Sequence, residues 1–129
     1  MALFLVSSFA QKNDGEDRSA EAITKLLVEK YELTSTQEAK VLKIQLRKIK
    51  NQSEFAQLEN TDIEKYVQKV SSNQRQTLHS MRMIFNKEQL ILLDEDRLRV
   101  RKEKADLSYR MQKQGASTID IKKALIEIE

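Results

Sequence analysis

A short pattern occurs twice in this chain and fixes where two of its helices must begin. It reads Leu33-Thr34-Ser35-Thr36-Gln37 at one place and, in a looser copy, Phe85-Asn86-Lys87-Glu88-Gln89 at another. Each copy is an apolar residue, a helix-capping residue, two polar residues and a Gln. That is the layout of a capping box. The Thr34 or Asn86 side chain accepts from the backbone N–H three residues on, and the Gln side chain reaches back to the cap's own N–H. The second copy adds a hydrophobic staple, Phe85 against Leu90, whereas the equivalent position of the first copy is Glu38, so Leu33 must find another neighbour. Long helices are therefore expected to start at residues 35 and 87.

Nothing downstream of those starts interrupts a helix. The chain of 129 residues has no Pro and two Gly, and it is rich in Lys, Glu, Gln, Leu and Ala. The expected fold is all-α, with about five helices forming antiparallel long-helix hairpins in an open layer or cradle. A first helix is expected after Ser19 as N-cap, carrying Ile23, Leu26, Leu27 and Tyr31. The second runs from 35 to about 57 with Leu42, Leu46 and Ile49 on its core face. Residues 58–60 read as a connection. The sequence Thr61-Asp62-Ile63-Glu64 reads as another capping box, opening a third helix to about 83 that buries Ile63, Tyr66, Val67, Val70, Leu78 and Met81. The fourth runs from 87 to about 114 and stops at Gly115. Ser117 caps a short fifth with Ile121, Leu125 and Ile128. Aromatic residues make up only 5% of the chain, so the core is thin, and the helices either pack openly or bury more surface by forming a homodimer.

The N-terminal run Ala2-Leu3-Phe4-Leu5-Val6-Ser7-Ser8-Phe9-Ala10 is apolar and ends with Ser8 and Ala10 at the small-residue positions of a signal-peptidase site. It lacks a basic segment ahead of it, as an internal Met of a longer precursor would. The expected organisation is a signal-peptide remnant at 1–10, a disordered leader at 11–18 and a single helical domain at 19–129. The alternative for the first ten residues is an apolar tail docked on the core. The run is too short to span a bilayer as a helix, and export would leave the mature chain periplasmic or secreted, with no membrane insertion.

Residues that carry catalysis are sparse. There is no Cys, His79 is the lone His, and no paired-His metal motif, P-loop or nucleophile elbow occurs. No catalytic residue, metal site or cofactor is expected. Asp94, Glu95 and Asp96 point about 100° apart on a helix and read as a solvated stretch. The net charge of +3 comes from 23 basic and 20 acidic residues, which is too balanced for nucleic-acid binding.

The basic residues carry a pattern. Lys40, Lys43, Arg47 and Lys50 share one side of the second helix, with Ile44 expected beyond the core face and open to water. In the fourth helix Leu90, Leu93, Val100, Leu107 and Met111 make one apolar stripe, and Ile91, Leu98, Ala105 and Tyr109 make a second. Arg97, Arg101 and Lys104 lie between them. Apolar strips separated by cations can hold a partly unfolded chain loosely; the plain alternative is a helix between two neighbours with basic stems lying along the seam.

The two motifs together resemble the Spy/CpxP family of periplasmic proteins, whose hallmark is a pair of LTxxQ motifs, each opening a long helix. Leu33-Thr34-Ser35-Thr36-Gln37 matches in full, while Phe85-Asn86-Lys87-Glu88-Gln89 keeps the Gln and replaces Leu by Phe and Thr by Asn. The resemblance covers roughly residues 20–115. The chain also resembles small secreted helical proteins of Bacteroidota. The family resemblance implies a cradle-shaped dimer of helical hairpins that holds clients on its concave side. The expected function is an exported, ATP-independent chaperone-like or envelope-stress protein that binds partly unfolded clients through Lys40, Lys43, Ile44, Arg47, Lys50, Arg97, Arg101 and Lys104. The alternative is a regulatory or structural protein docking a specific envelope partner, such as a sensor protein.

Overall fold

The computed structural model describes the backbone of residues 2–129 and the side chains of residues 15–129. Its elements are α1 (Ala2–Tyr31), α2 (Ser35–Phe55), α3 (Leu58–Thr61), α4 (Ile63–Arg82), α5 (Lys87–Lys113) and α6 (Thr118–Leu125). The all-α expectation holds. The signal-peptide remnant expected at 1–10 lies outside the residues whose side chains are described.

Both capping boxes form as the spacing requires. Gln37 N donates to Thr34 Oγ1 at 3.2 Å, and Thr34 N donates to Gln37 Oε1 at 2.9 Å. The same pair of bonds closes on Asn86 and Gln89, each at 2.9 Å. Ser117 caps α6 through Asp120 N, and Gly115 ends α5 with φ +77°. There Ala116 N donates to Met111 O and Gly115 N to Gln112 O, the two bonds of a Schellman turn.

Several boundaries differ from expectation. Helix α1 begins well before Ser19, whose hydroxyl donates to Gly15 O instead of capping. Residues 15–18 are helical, and Glu16 accepts from Ser53 of α2, so this part of the expected leader is ordered against the neighbouring helix. Residues 58–61 form a single turn of helix rather than a plain connection. The cap of α4 is Asp62, which accepts from Lys65 N at 3.2 Å. Thr61 donates to Gln57 O instead, because α3 has already claimed it.

Helices α1 and α2 run antiparallel, as do α2 and α4. The core cluster joins Tyr31, Leu33, Val41, Ile44, Met81, Phe85 and Leu93. Leu33 finds its neighbours there, and Phe85 lies against Tyr31 with ring centroids 5.2 Å apart. Leu90 packs on the same cluster as Phe85, as the staple requires. Ile44 is 8% exposed, which overturns its expected place in water. The reason is that α2 is flanked on both sides, by α1 and by α4. Its buried line is therefore Val41, Ile44 and Gln45, and Leu42, Leu46 and Ile49 are half-buried beside it. On α1 the buried line is Ala20, Thr24 and Tyr31, and Leu26 faces outward.

The seam between α2 and α4 is polar. Asn51 donates to Asn73, Asn73 donates to Lys48 O, and Gln45 Nε2 rests on Met81 Sδ at 3.8 Å. Side-chain amides in a seam make bonds at one register only, which fixes how the two helices slide against each other. Phe55 and Tyr66 close the far end edge to face at 6.4 Å.

Candidate binding surfaces and cavity

The two capping motifs meet. Gln37 Nε2 donates to Gln89 Oε1 at 2.7 Å, and Gln89 Nε2 donates to Gln37 Oε1 at 2.9 Å. Each amide also donates across to the turn before the other helix, Gln37 to Ile84 O and Gln89 to Glu32 O, both at 3.1 Å. Every donor and acceptor of both amides is used, counting the bonds to the caps. The Glu32 carbonyl is presented by a left-handed residue, φ 54°, where α1 ends and Leu33 N returns to Val28 O. Such a φ costs a non-glycine residue about 1 kcal/mol, and this turn's bonds to Gln89 and Val28 offset it. The motif is therefore a structural knot at one end of the bundle.

A second junction joins α1 to α5. The Asp96 side chain, 13% exposed, pairs with Lys30 at 2.9 Å and Arg99 at 2.8 Å, and Tyr31 donates its hydroxyl to it at 3.2 Å. Burial pushes the Asp96 carboxyl up, but the hydrogen bonds from Lys30, Arg99 and Tyr31 and the charge of Lys30 outweigh it and bring it down to about 2. Burial first, then the Asp96 charge and hydrogen bond, push the Tyr31 hydroxyl up to about 12. The expectation of a solvated acidic stretch therefore fails at Asp96. It holds at Glu95 and at Asp94, which is exposed and pairs with Arg82.

The eight residues expected to bind a client do not form one surface. Lys40, Lys43, Lys50 and Arg101 are exposed. Arg47 is exposed and donates to Ser80 at 2.8 Å, in a shallow depression with Arg75 and His79. Ile44 is in the core. Arg97 and Lys104 are half-buried and line a cavity of about 380 Å³ bounded by α1, α2, α4, α5 and the C-terminal segment. Lys30, Lys48 and Arg75 join them there, over the apolar side chains of Leu27, Leu78, Met81 and Leu93. Sequence reasoning missed Lys30, Lys48 and Arg75, because they come from three different helices. It also passed over Gln45, although a Gln at a position three residues past Leu42 and four before Ile49 is a polar intruder on an apolar face.

The two stripes of α5 separate as the periodicity requires. Leu93 and Val100 are buried and Leu90, Leu107 and Met111 half-buried. Ile91, Leu98 and Tyr109 are 54%, 49% and 58% exposed, with Ala105 exposed between them. Arg101 and Lys102 flank this outer stripe at three- and four-residue spacings from Leu98 and Ala105. Among the described residues no group of three His, Cys, Asp or Glu side chains gathers to hold a metal, and no helix is long and apolar enough to cross a membrane. No family model matches the chain, and neither a curated protein nor a solved structure does.

Proposed function

We propose that this protein is an exported, ATP-independent chaperone-like protein of the Spy/CpxP type, which holds partly unfolded clients on its outer helical faces. The observation that carries the reading is the outer stripe of α5: Ile91, Leu98, Ala105 and Tyr109 lie exposed in line, bordered by Arg101 and Lys102. Three large apolar side chains half open to water on one helix, with no neighbour among the described residues to cover them, suit weak capture of apolar client segments. Cations steer acidic segments to them. Lys40, Lys43, Arg47 and Lys50 on α2 extend the positive field. Ile44 plays no part, being buried.

Purified protein without nucleotide is expected to slow aggregation of an unrelated denatured protein at near-stoichiometric ratios, measured by light scattering. Protection should fall as ionic strength rises through about 0.15 M, since exposed charges more than about 8 Å apart are then screened. Replacing Ile91 and Leu98 by Ser should reduce protection while circular dichroism stays unchanged, because both side chains lie off the core. Absence of protection against several clients would overturn the chaperone reading and favour docking to one specific partner.

Export has its own test. The mature protein recovered from its host should begin at Gln11 and fractionate with the periplasm or the medium. Intact N-termini found in the cytoplasm would remove export from the proposal.

A further inference from the structure

The cavity holds more positive charge than the fold uses. Of its five cations, Lys30 is paired with Asp96 and Lys48 with Glu129. Arg75, Arg97 and Lys104 make no ion pair among the described residues. Burial, with the neighbouring Arg97 charge, holds the Lys104 ammonium below the usual lysine value and outweighs the opposing Glu129 charge, as expected of a cation pressed toward apolar surroundings without an ion pair. Leu27, Leu78, Met81 and Leu93 supply apolar lining to the same cavity. One wall is also unfinished: Gln45, 2% exposed, lines the cavity, and its Oε1 has no hydrogen-bond partner. A water brought in with an occupant can give this buried acceptor the donor it lacks.

The chain displays the complementary chemistry at one end of the same cavity. Ile128 and Glu129 both line it, an apolar side chain beside a carboxylate, and Glu129 is seated on Lys48. The rest of the lining combines the cations with the hydrocarbon of Leu27, Leu78, Met81 and Leu93 and a few neutral polar side chains.

We propose that this cavity binds a small amphiphilic organic anion, its charged head on Arg75, Arg97 and Lys104 and its hydrocarbon body on Leu27, Leu78, Met81 and Leu93. The volume of about 380 Å³ falls in the range of small-molecule sites, roughly 300–1,000 Å³. Guanidinium and ammonium groups lining one cavity without an ion-pair partner suit a carboxylate or phosphate head. The apolar lining requires that the head carry a tail. The site is separate from the outer stripe of α5, so it stands or falls independently of client binding.

The test is calorimetric titration of the full chain at low salt with submicellar decanoate, and with decyl phosphate to compare heads. Decanoate should saturate one site per chain. The tail-matched neutral amphiphile decyl maltoside should bind at least tenfold more weakly, and decyltrimethylammonium should not saturate the site. Those comparisons use the unaltered protein. The Arg97→Ala/Lys104→Ala variant should lose at least tenfold in affinity with unchanged circular dichroism. The charge-matched Lys65→Ala/Lys87→Ala variant, altered at exposed positions away from the cavity, should stay within about twofold. Uptake of decanoate without saturation, equal binding of the neutral or cationic amphiphile, or wild-type affinity in the Arg97→Ala/Lys104→Ala variant would each overturn the assignment.

Discussion

Replacing Gln89 by Ala should lower stability by about 3 kcal/mol, more than any single helix cap could account for. The Gln89 side chain is buried and makes four hydrogen bonds: from Asn86 N, from and to Gln37, and to Glu32 O. Its removal orphans the Asn86 N–H, the Glu32 carbonyl and half of the Gln37 amide. Groups stranded in a buried site cost more than the net value of the bonds they made. The loss of a cap alone, as in Thr34→Ala, costs about 1 kcal/mol. Gln37→Ala should fall between the two, since Gln37 is half-buried. The sharper result is in the double variant. Once one amide is gone the other has lost its partner, so Gln37→Ala/Gln89→Ala should cost less than the sum of the singles by about 1–2 kcal/mol. Urea denaturation followed by circular dichroism measures all three. Strict additivity would mean that the two amides do not act on each other, and the motif would be reduced to two separate caps.

The second large effect depends on pH. The hydrogen bonds and charge around Asp96 hold its carboxyl down at about 2 in the folded chain, against an ordinary aspartate value of 3.8. A depressed carboxylate pKa means that the unfolded chain binds more protons in that window, so stability rises with pH. The contribution is complete above about pH 5 and disappears as pH falls toward 2. A shift of this size corresponds to about 2 kcal/mol, trimmed to about 1–2 by the solvent around the half-exposed Lys30 and Arg99. Asp96→Asn should lose that amount at pH 7 and show a flatter acid limb between pH 5 and 2. The alkaline limb has the opposite sign. The Tyr31 hydroxyl is pushed up to about 12, so the folded chain keeps a proton that the unfolded chain releases from about pH 10. Stability therefore falls as pH climbs between 10 and 12, and Tyr31→Phe should flatten that slope, leaving the part due to Tyr66, whose hydroxyl burial also pushes up. Thermal midpoints across the two ranges check both signs. An unchanged acid limb in Asp96→Asn would show that the α1–α5 junction contributes nothing through this carboxylate.

The parts of the fold legible in the sequence are those decided within a few residues. Thr34, Asn86 and Ser117 announce helix starts, because a cap and its third residue lie in one turn. Gly115 announces a stop for the same local reason. The two stripes of α5 were legible because one face packs and the other does not. The face of α2 was misjudged at Ile44, because periodicity locates a single stripe and this helix has neighbours on both sides. Thr61 misled because two overlapping turns compete for it, and α3 is too short to announce itself by pattern. Asp96 and Tyr31, 65 positions apart, carry no local mark of their pairing. The cavity was illegible for a related reason: each of its cations looks like an ordinary surface lysine or arginine until separate helices bring them over one apolar floor.

The exchange of amides between Gln37 and Gln89 has a consequence for the order in which the chain folds. Each capping box can close in an isolated segment, since its bonds span three residues. The amide pair spans 52, and closing a loop of that length costs chain entropy that grows as the logarithm of its size. The same side-chain oxygen serves both tasks, first holding its own helix start and then accepting from the other. A nascent start at residue 35 is thus formed with three of the four hydrogen bonds of the Gln37 side chain unmade, waiting on a segment not yet made when chain growth runs from the N-terminus. The contact converts two local signals into a single checkpoint, satisfied only when the α1–α2 and α4–α5 turns arrive together.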